Sequence, residues 1–160
     1  MDQNVLFSID DTEDDAAERT TTQEKETEKY LLFTSAQLLF GVPSEYVVEI
    51  ITNHSITKLP LVPSYVRGIM NLRGQIIPIV DIRTLLGHDA ENDLCIIILN
   101  IDGIMVGILI DSVLKMVDVK KDSLRAEPEQ KEKGLVSAIC SLPDGQTMLA
   151  FDCAQILNQT

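Results

Sequence analysis

The sequence contains no tryptophan, and aromatic residues make up only 4% of its 160 residues. Its hydrophobic residues, 45% of the chain, are therefore largely isoleucine, leucine and valine. Branched side chains lose conformational freedom in helices and pack well on a pleated sheet. The composition favours strands, in one domain or in two very small ones that share a core.

Basic residues are also scarce, with 13 Lys and Arg against 25 Asp and Glu and a net charge of −12. Nucleic-acid binding requires clustered positive charge, and anionic membrane surfaces also attract it. The most apolar run, residues 94–110, is interrupted by Asn100, Asp102 and Gly103. This predicts two strands and a turn rather than a membrane span, so we expect neither nucleic-acid binding nor direct membrane insertion.

Metal-binding and redox spacings are lacking. Cys95, Cys140 and Cys153 lie far apart in apolar strings, which predicts buried thiols in a reducing cytosol. His54 and His88 lie in polar, loop-like contexts, which indicates surface or structural roles. The acidic N-terminus has no secretory signal. We therefore expect a cytoplasmic protein without a metal or another cofactor.

Catalytic motifs are missing as well. Ser64, Ser112 and Ser137 lack the G-x-S-x-G elbow, and no G-K-S/T follows residues 103–107. The acidic run at residues 10–15 lacks the glycine and the final glutamate of a calcium loop. The sequence predicts a binding protein rather than an enzyme, with a small hydrolase or ligand-binding barrel as the alternative from another class.

Short apolar runs predict an all-β fold with two hairpin turns, at Asp102-Gly103 and at Pro143-Asp144-Gly145. The pattern leaves open whether the strands form one sandwich or two small barrels, although a split of the apolar content around residues 88–93 favours two subdomains. The ten predicted strands span residues 30–34, 38–42, 47–51, 68–72, 76–80, 94–101, 104–110, 113–119, 135–141 and 146–151.

Helices are predicted to be few. Short pieces are expected after Pro43, after Pro63 and after Asp81, whose carboxylate would cap the turn, and a longer helix over residues 152–159. Pro78 cannot donate a ladder hydrogen bond, so its strand should lie at an edge or carry a bulge. Residues 120–133 are polar and predict a surface loop.

Residues 1–29 carry ten acidic and three basic side chains, which predicts a disordered acidic tail before a domain at residues 30–160. The tail also contains a small apolar cluster, Val5, Leu6, Phe7 and Ile9. This cluster is either part of an unremarkable terminus or a short docking motif.

The string GIMNLRGQIIPIVDIRTLLG at residues 68–87 resembles the signature of the CheW family of chemotaxis coupling proteins, in which leucine is commoner at the position of Ile82. LLFTSAQLLFGVPSEYVVEII upstream and CIIILNIDGIMVGILIDSVLKMV downstream extend the resemblance to about residues 30–157. It implies two small five-stranded SH3-like β-barrel subdomains packed together, with short helices and a C-terminal helix.

The resemblance also implies a function. It indicates a non-catalytic adaptor that couples the cytoplasmic tip helices of chemoreceptors (methyl-accepting chemotaxis proteins) to the regulatory domain of the histidine kinase CheA. Such an adaptor is cytoplasmic and recruited to membrane-associated receptor arrays, and a groove between its barrels would suit an amphipathic helix. The alternative is a CheW-like scaffold for pilus motility, surface sensing or polar localisation, with the acidic tail binding a separate partner.

The family's functional positions fall on eight residues here. Arg73 matches the motif arginine near the subdomain junction, where its guanidinium would hold carbonyls or a carboxylate, or would simply staple the barrels. Glu49 matches a receptor-contact position, although a solvated strand face is the alternative. The remaining expected partner-binding residues are Val47 and Gly68 for the kinase, Gly107 and Val113 for the receptor, and Ile50 and Asn71 from the same motifs.

Overall fold

The computed structural model describes residues 26–52, 55–89, 95–126 and 134–159, and almost all of its regular structure is strand. The predicted all-β class is confirmed, and two short α-helices lie wholly within these described residues, α1 (Ile82–Leu85) and α2 (Cys153–Gln159). The eleven described strands are β1 (Thr27–Ser35), β2 (Leu38–Pro43), β3 (Val47–Ile51), β4 (Val66–Leu72), β5 (Gln75–Asp81), β6 (Cys95–Ile101), β7 (Ile104–Ile110), β8 (Ser112–Lys120), β9 (Arg125–Ala126), β10 (Val136–Ser141) and β11 (Thr147–Phe151).

The strands form two sheets, which confirms the expectation of two subdomains. Sheet A has the order β8-β1-β2-β11-β10-β9, and sheet B has the order β3-β6-β7-β5-β4. Sheet B has the five strands expected, whereas sheet A has six because the two-residue β9 pairs with β10. This pairing corrects part of the predicted loop at residues 120–133, of which residues 127–133 lie outside the described residues.

The division between the subdomains does not fall at residues 88–93, as the apolar pattern suggested. β6 pairs with β3, and β7 pairs with both β6 and β5, so the strands on both sides of this segment belong to sheet B. The chain enters sheet B through a 3-10 helix at Ser44–Tyr46 and returns to sheet A at β8. The boundary depends on long-range pairing, which a local composition shift does not record.

A core shared by the two sheets explains the continuous apolar strands. Ile97 and Leu99 of β6 join Phe33 and Phe40 of sheet A in this central core, whereas the alternate residues Ile96 and Ile98 are buried within sheet B. Successive side chains of a strand point to opposite faces, so β6 is buried on both. A third cluster, which includes Leu32 and Met148, lies within sheet A.

The described phenylalanines concentrate in the central core. The Phe33 ring stacks on Phe40 with centroids 5.4 Å apart, and Phe151 meets both rings edge to face. Such aromatic pairs stabilise beyond the area that they bury. These three phenylalanines therefore contribute to the core that joins the two sheets.

Both predicted hairpin turns are confirmed. Asp102 and Gly103 take positive φ values of 53° and 88° between β6 and β7, as a two-residue type I′ turn requires. In the second, Gly145 N donates to Leu142 O at 2.9 Å, which closes the chain between β10 and β11.

The predicted helices are confirmed except for one. Asp81 Oδ1 accepts from the backbone N–H groups of Arg83 and Thr84, and Asp152 caps α2 through Ala154 N at 3.1 Å. After Pro63 there is a turn instead of a helix. Val66 N donates to Pro63 O, and the chain then enters β4 directly.

Pro78 lies opposite Ile69 in β5, which is an interior strand, so of the two expectations, an edge or a bulge, the edge is wrong. The parallel pairing of β5 with β7 begins only at Ile79, so Pro78 precedes it. A register shift also occurs in the partner strand β4, between Val66 and Gly68. The ladder therefore accommodates the proline locally.

The N-terminal predictions are covered only in part. β1 begins at Thr27, three residues before the predicted strand, while residues 1–25 and His54 lie outside the described residues. Within the described part of the chain, no helix is long and apolar enough to cross a membrane.

Candidate partner-binding site

An exposed ion pair joins the two outer strands of sheet B. Arg73 Nη2 lies 3.1 Å and 3.2 Å from the two carboxylate oxygens of Glu49, which extends from β3, while Arg73 follows β4. The Arg73 side chain is 74% exposed, and that of Glu49 is 31% exposed. Solvent screens such a pair, so its contribution to stability is small. The Arg73 guanidinium remains accessible to a partner, whereas Oε2 of Glu49 is buried.

The position of Arg73 differs from the expected one. It was expected to bind across the junction of the subdomains, but its carboxylate partner Glu49 belongs to the same sheet. A backbone bridge between Thr57 and Ile69 links the segment after β3 to β4 as well. The ion pair and the bridge bring the two edges of sheet B together, which suits a small barrel.

A tight turn holds the Arg73 side chain outward. Arg73 and Gly74 have φ values of 52° and 84°, and Gly74 N donates to Asn71 Oδ1 at 2.9 Å. The β6–β7 turn repeats this arrangement, with Gly103 N donating to Asn100 Oδ1 at 2.8 Å. Asn71 therefore positions the turn that carries Arg73.

Apolar side chains on the same elements are exposed to solvent. Val48 and Ile50 flank Glu49 along β3 and are 46% and 41% exposed, and Ile76 beside the Arg73 turn is 57% exposed. Val47 is half-buried and packs against the central core. Glu49 is paired with Ile98 and Ile50 with Ile97, so these two side chains point to opposite faces of β3. We use the name β3 surface for the exposed or partly exposed residues Val48, Glu49, Ile50, Arg73 and Ile76 taken together.

The two glycines of the predicted set are buried. A Cβ on Gly68 would lie 2.1 Å from Thr57 O, and Gly68 has a φ of +144°. A Cβ on Gly107 would lie 2.5 Å from Ile79 Cδ1. Larger residues at these positions therefore disturb packing before they meet any partner.

Val113 lies away from the β3 surface. It belongs to β8 of sheet A, pairs with Phe33 and packs against the central core. The structure thus brings Glu49, Ile50, Asn71 and Arg73 to one region of sheet B, with Val47 at the start of the same strand. Gly68 and Gly107 lie inside that sheet, and Val113 lies in the other.

Sequence reasoning missed the charged pairs around α1. Arg67 Nη1 lies 2.6 Å from Asp81 Oδ2, and Arg83 forms an ion pair with Asp111. Asp111 N also donates to Thr34 O of β1 at 2.9 Å. Arg83, and not Arg73, is therefore the arginine at the junction of the sheets. The sequence predicted the helix cap at Asp81, but it did not predict the ion pair between Asp81 and Arg67, which lies fourteen positions earlier.

The thiols are buried and free, as predicted. Burial, followed by the nearby carboxylates of Asp152 and Glu45, raises the pKa of Cys153 to about 12. Burial also raises the pKa of Cys95. Both thiols are protonated at neutral pH and are therefore poor nucleophiles. Among the residues that the structure describes, no cluster of three or more His, Cys, Asp or Glu side chains is arranged to hold a metal ion.

Together, the two small sheets around a shared core and the N-L-R-G turn match a known protein family. The model of the CheW-like domain matches residues 29–160, and the chain belongs to this family. The resemblance seen in the sequence is therefore confirmed.

Named relatives and a solved structure agree with this assignment. The chain is 31% identical to chemotaxis protein CheW of Thermotoga maritima over 130 residues, which cover 76% of this chain and 81% of the relative. It is 30% identical to chemotaxis protein CheW of Klebsiella aerogenes over 105 residues, covering 64% and 63% of the two chains. The match thus spans less than two thirds of the Klebsiella relative.

A third relative has a different name. Protein FrzA of Myxococcus xanthus is 33% identical over 60 residues, or 38% of each chain. Among solved structures, the scaffolding protein TtCheW from Thermoanaerobacter tengcongensis superposes with a TM-score of 0.73 at 29% identity. That superposition covers 78% of this chain and 88% of TtCheW.

Proposed function

We propose that this protein is a non-catalytic adaptor that couples chemoreceptors to a CheA-type histidine kinase. Membership of the CheW-like family supports the proposal, as do relatives named as chemotaxis proteins and a similar protein described as a scaffold. The observation that carries most weight is the β3 surface. A screened ion pair contributes little to folding, and together with the exposed apolar side chains of adjacent residues it suits recognition of another protein.

The proposal assigns roles to the residues of this surface. Arg73 presents a planar guanidinium that binds carboxylates or carbonyls with two donors, and Glu49 both orients it and offers an acceptor. Ile50 and Val47 supply apolar contact on β3, and Asn71 fixes the turn. The proposed set also includes three residues that act through packing. Gly68 shapes the kinase-facing surface, and Gly107 and Val113 shape the receptor-facing surface.

The organisation of the chain follows from the same proposal. The CheW-like domain includes β1, which begins at Thr27, and the acidic residues 1–25 precede it. The adaptor acts in the cytoplasm, where receptor arrays recruit it to the membrane through protein contacts and without inserting into the bilayer.

Reconstitution of the kinase complex tests this function. The purified full chain is mixed with a receptor cytoplasmic fragment and CheA, and both co-sedimentation and ATP-dependent autophosphorylation are measured. We expect a sedimenting assembly and raised autophosphorylation. A full chain that leaves kinase activity unchanged in this mixture contradicts the proposal.

Charge-matched variants connect that activity to the β3 surface. We expect Arg73→Ala to lower kinase stimulation strongly and Arg73→Lys to restore it only in part, because an ammonium cannot reproduce the guanidinium fork. Lys115→Ala is the control, since it removes an exposed positive charge from the other sheet. Equal losses for Arg73→Ala and Lys115→Ala exclude a specific role for the β3 surface.

A second candidate is a CheW-like scaffold for another motility or sensory system, such as pilus motility, surface sensing or polar localisation. The similarity to FrzA, which is not named as a chemotaxis protein, and the acidic residues before β1 favour it. Removal of residues 1–25 separates the candidates and leaves β1 intact, because that strand begins at Thr27. Unchanged kinase coupling supports the adaptor, and loss of a different partner supports the second candidate.

A further inference from the structure

Two adjoining pockets lie on sheet A, whereas the β3 surface belongs to sheet B. The first has a volume of about 350 Å³, and its apolar lining includes Val119, Leu142 and Pro143. The second has a volume of about 310 Å³ and extends towards Ile139. The two pockets share Ser123, Cys140 and Ser141, so they form one continuous depression, the sheet A pocket.

The segment that borders the sheet A pocket has a positive net charge, although the chain as a whole is strongly acidic. Residues 112–126 carry four basic and two acidic side chains, against a net charge of −12 for the protein. Lys120 lines the first pocket and Arg125 lines the second, and Lys121 follows Lys120 directly. Asp118 and Asp122 also line these pockets, so the charged lining residues balance, and the excess of two positive charges within residues 112–126 comes from Lys115 and Lys121.

The chain itself contains a segment of complementary chemistry. Residues 1–25 carry eight acidic and two basic side chains, and their apolar cluster Val5, Leu6, Phe7 and Ile9 comes directly before the acidic run at residues 10–15. The sequence has four phenylalanines, of which Phe33, Phe40 and Phe151 are buried in the central core and Phe7 lies in this apolar cluster. An apolar group next to a run of carboxylates matches a pocket with an apolar floor and a basic rim.

The path of the chain makes this contact feasible. Thr27, at the start of β1, pairs with Lys120 of β8, and Lys120 lines the sheet A pocket. The residues before Thr27 therefore begin beside the rim. The nineteen residues from Ile9 to Thr27 span up to about 60 Å when extended, which is ample for a return to a pocket next to the starting point.

We propose that residues 5–15 of this chain occupy the sheet A pocket. Leu6 and Phe7 fill its apolar part, and the carboxylates of residues 10–15 contact Lys120, Lys121 and Arg125. Because the segment and the pocket belong to one chain, their effective concentration is high, and a weak contact is sufficient for occupancy. The inference does not depend on the proposed coupling function, because the pocket lies on sheet A and the β3 surface belongs to sheet B.

Nuclear magnetic resonance on the full-length protein tests the docking. The backbone amide signals of Ser123, Ser141 and Leu142 are compared between the wild type and the double variant Leu6→Ala/Phe7→Ala. We expect these signals to move, while signals from sheet B stay in place and report an intact fold. The matched control is Thr21→Ala/Thr22→Ala, which shortens two neighbouring side chains between the acidic run and β1 and should leave the pocket signals unchanged.

A second double variant changes the basic residues of the pocket instead of the apolar residues of the segment. In Lys120→Glu/Arg125→Glu, we expect the amides of residues 5–15 to shift towards the positions that they adopt in the Leu6→Ala/Phe7→Ala protein. In the wild type, we expect the same displacement as salt rises from 0.05 to roughly 0.5 M, because the screening length then falls well below that at physiological salt.

Three outcomes overturn the proposal. The pocket signals could be identical in the wild type and the Leu6→Ala/Phe7→Ala variant, or the changes could map to sheet B. Shifts that vary with protein concentration would show that the segment of a second copy, and not of the same chain, occupies the pocket.

Discussion

Arg67 and Asp81 form an ion pair with Nη1 2.6 Å from Oδ2, while the other oxygen of Asp81 caps α1. Asp81 is fully buried, and Arg67 is largely buried. One carboxylate thus ties β4 to the helix that carries Arg83, and Arg83 in turn pairs with Asp111 at the junction of the sheets. Stability at the junction therefore depends on Asp81 more than on Arg73.

We expect Asp81→Ala to lower the free energy of unfolding by about 3 kcal/mol, because both the cap and a buried charge partner are lost. Asp152→Ala, which removes the cap of α2, should cost about 1 kcal/mol. Urea unfolding followed by circular dichroism measures both, since the protein has no tryptophan for fluorescence. Equal costs for the two variants would mean that the ion pair contributes nothing.

Gly68 and Gly74 both have positive φ values, but only Gly68 faces an obstacle. A Cβ on Gly68 would collide with the backbone of Thr57, whereas a Cβ on Gly74 meets no atom within 4 Å. We expect Gly68→Ala to cost more than about 2 kcal/mol and Gly74→Ala to cost about 1 kcal/mol from backbone strain alone. Thermal unfolding compares them, and a smaller loss for Gly68→Ala would contradict the close packing.

Arg73→Gly separates binding from stability. Glycine accepts the positive φ of this position without strain, and the exposed ion pair that it removes is worth little, so stability should change by less than about 1 kcal/mol. Kinase stimulation should nevertheless fall as far as in Arg73→Ala. A well-folded Arg73→Gly protein that retains full stimulation would disprove the role of the guanidinium.

The paired turns allow a similar comparison. Asn71→Ala and Asn100→Ala each remove one hydrogen bond to a turn glycine, so each should cost about 1 kcal/mol in chemical denaturation. Only Asn71→Ala loosens the turn that carries Arg73, and only that variant should weaken kinase stimulation. Equal effects on stimulation would show that lost stability is the cause.

Alkaline pH should destabilise the protein. Burial, with the nearby Glu28 carboxylate, raises the pKa of Tyr30 from 10.0 to about 12, and the pKa of Cys153 rises from 9.0 to about 12. Between pH 9 and 12 the unfolded chain therefore loses protons that the folded chain retains. The free energy of unfolding should fall as pH rises through this range.

Denaturation at a series of pH values measures this slope. Tyr30→Phe and Cys153→Ala each remove one titrating group, so each should flatten the curve above its ordinary pKa. A slope that neither variant reduces would assign the alkaline loss to other groups.

Local chemistry explains which features the sequence predicted. Asp102-Gly103 and the Asp81 cap depend on residues within three positions of each other, and both were found. The Glu49–Arg73 contact joins residues 24 positions apart, so sequence spacing alone did not identify it. The eight expected binding residues came from the family motif, and the motif does not record which of them are buried.

For the fold as well, the sequence predicted the local features and missed those that depend on long-range pairing. Apolar runs revealed the longer strands, because the pattern of each run is contained within it. β9 has only two exposed residues and carries no such pattern. The assignment of β6 and β7 to sheet B was missed because pairing with β3 and β5 is a long-range property.

The strand order of the sheets also determines when each can be completed on the ribosome. All five strands of sheet B come from the continuous stretch between Val47 and Ile110, whereas sheet A combines β1 and β2 with four strands that follow Asp111. The parallel pairing of β11 with β2 joins residues about 110 positions apart. Sheet A therefore stays unfinished until β11 has left the exit tunnel, and during that interval the Phe33 and Phe40 side of its first hairpin lacks the cover that Phe151 provides.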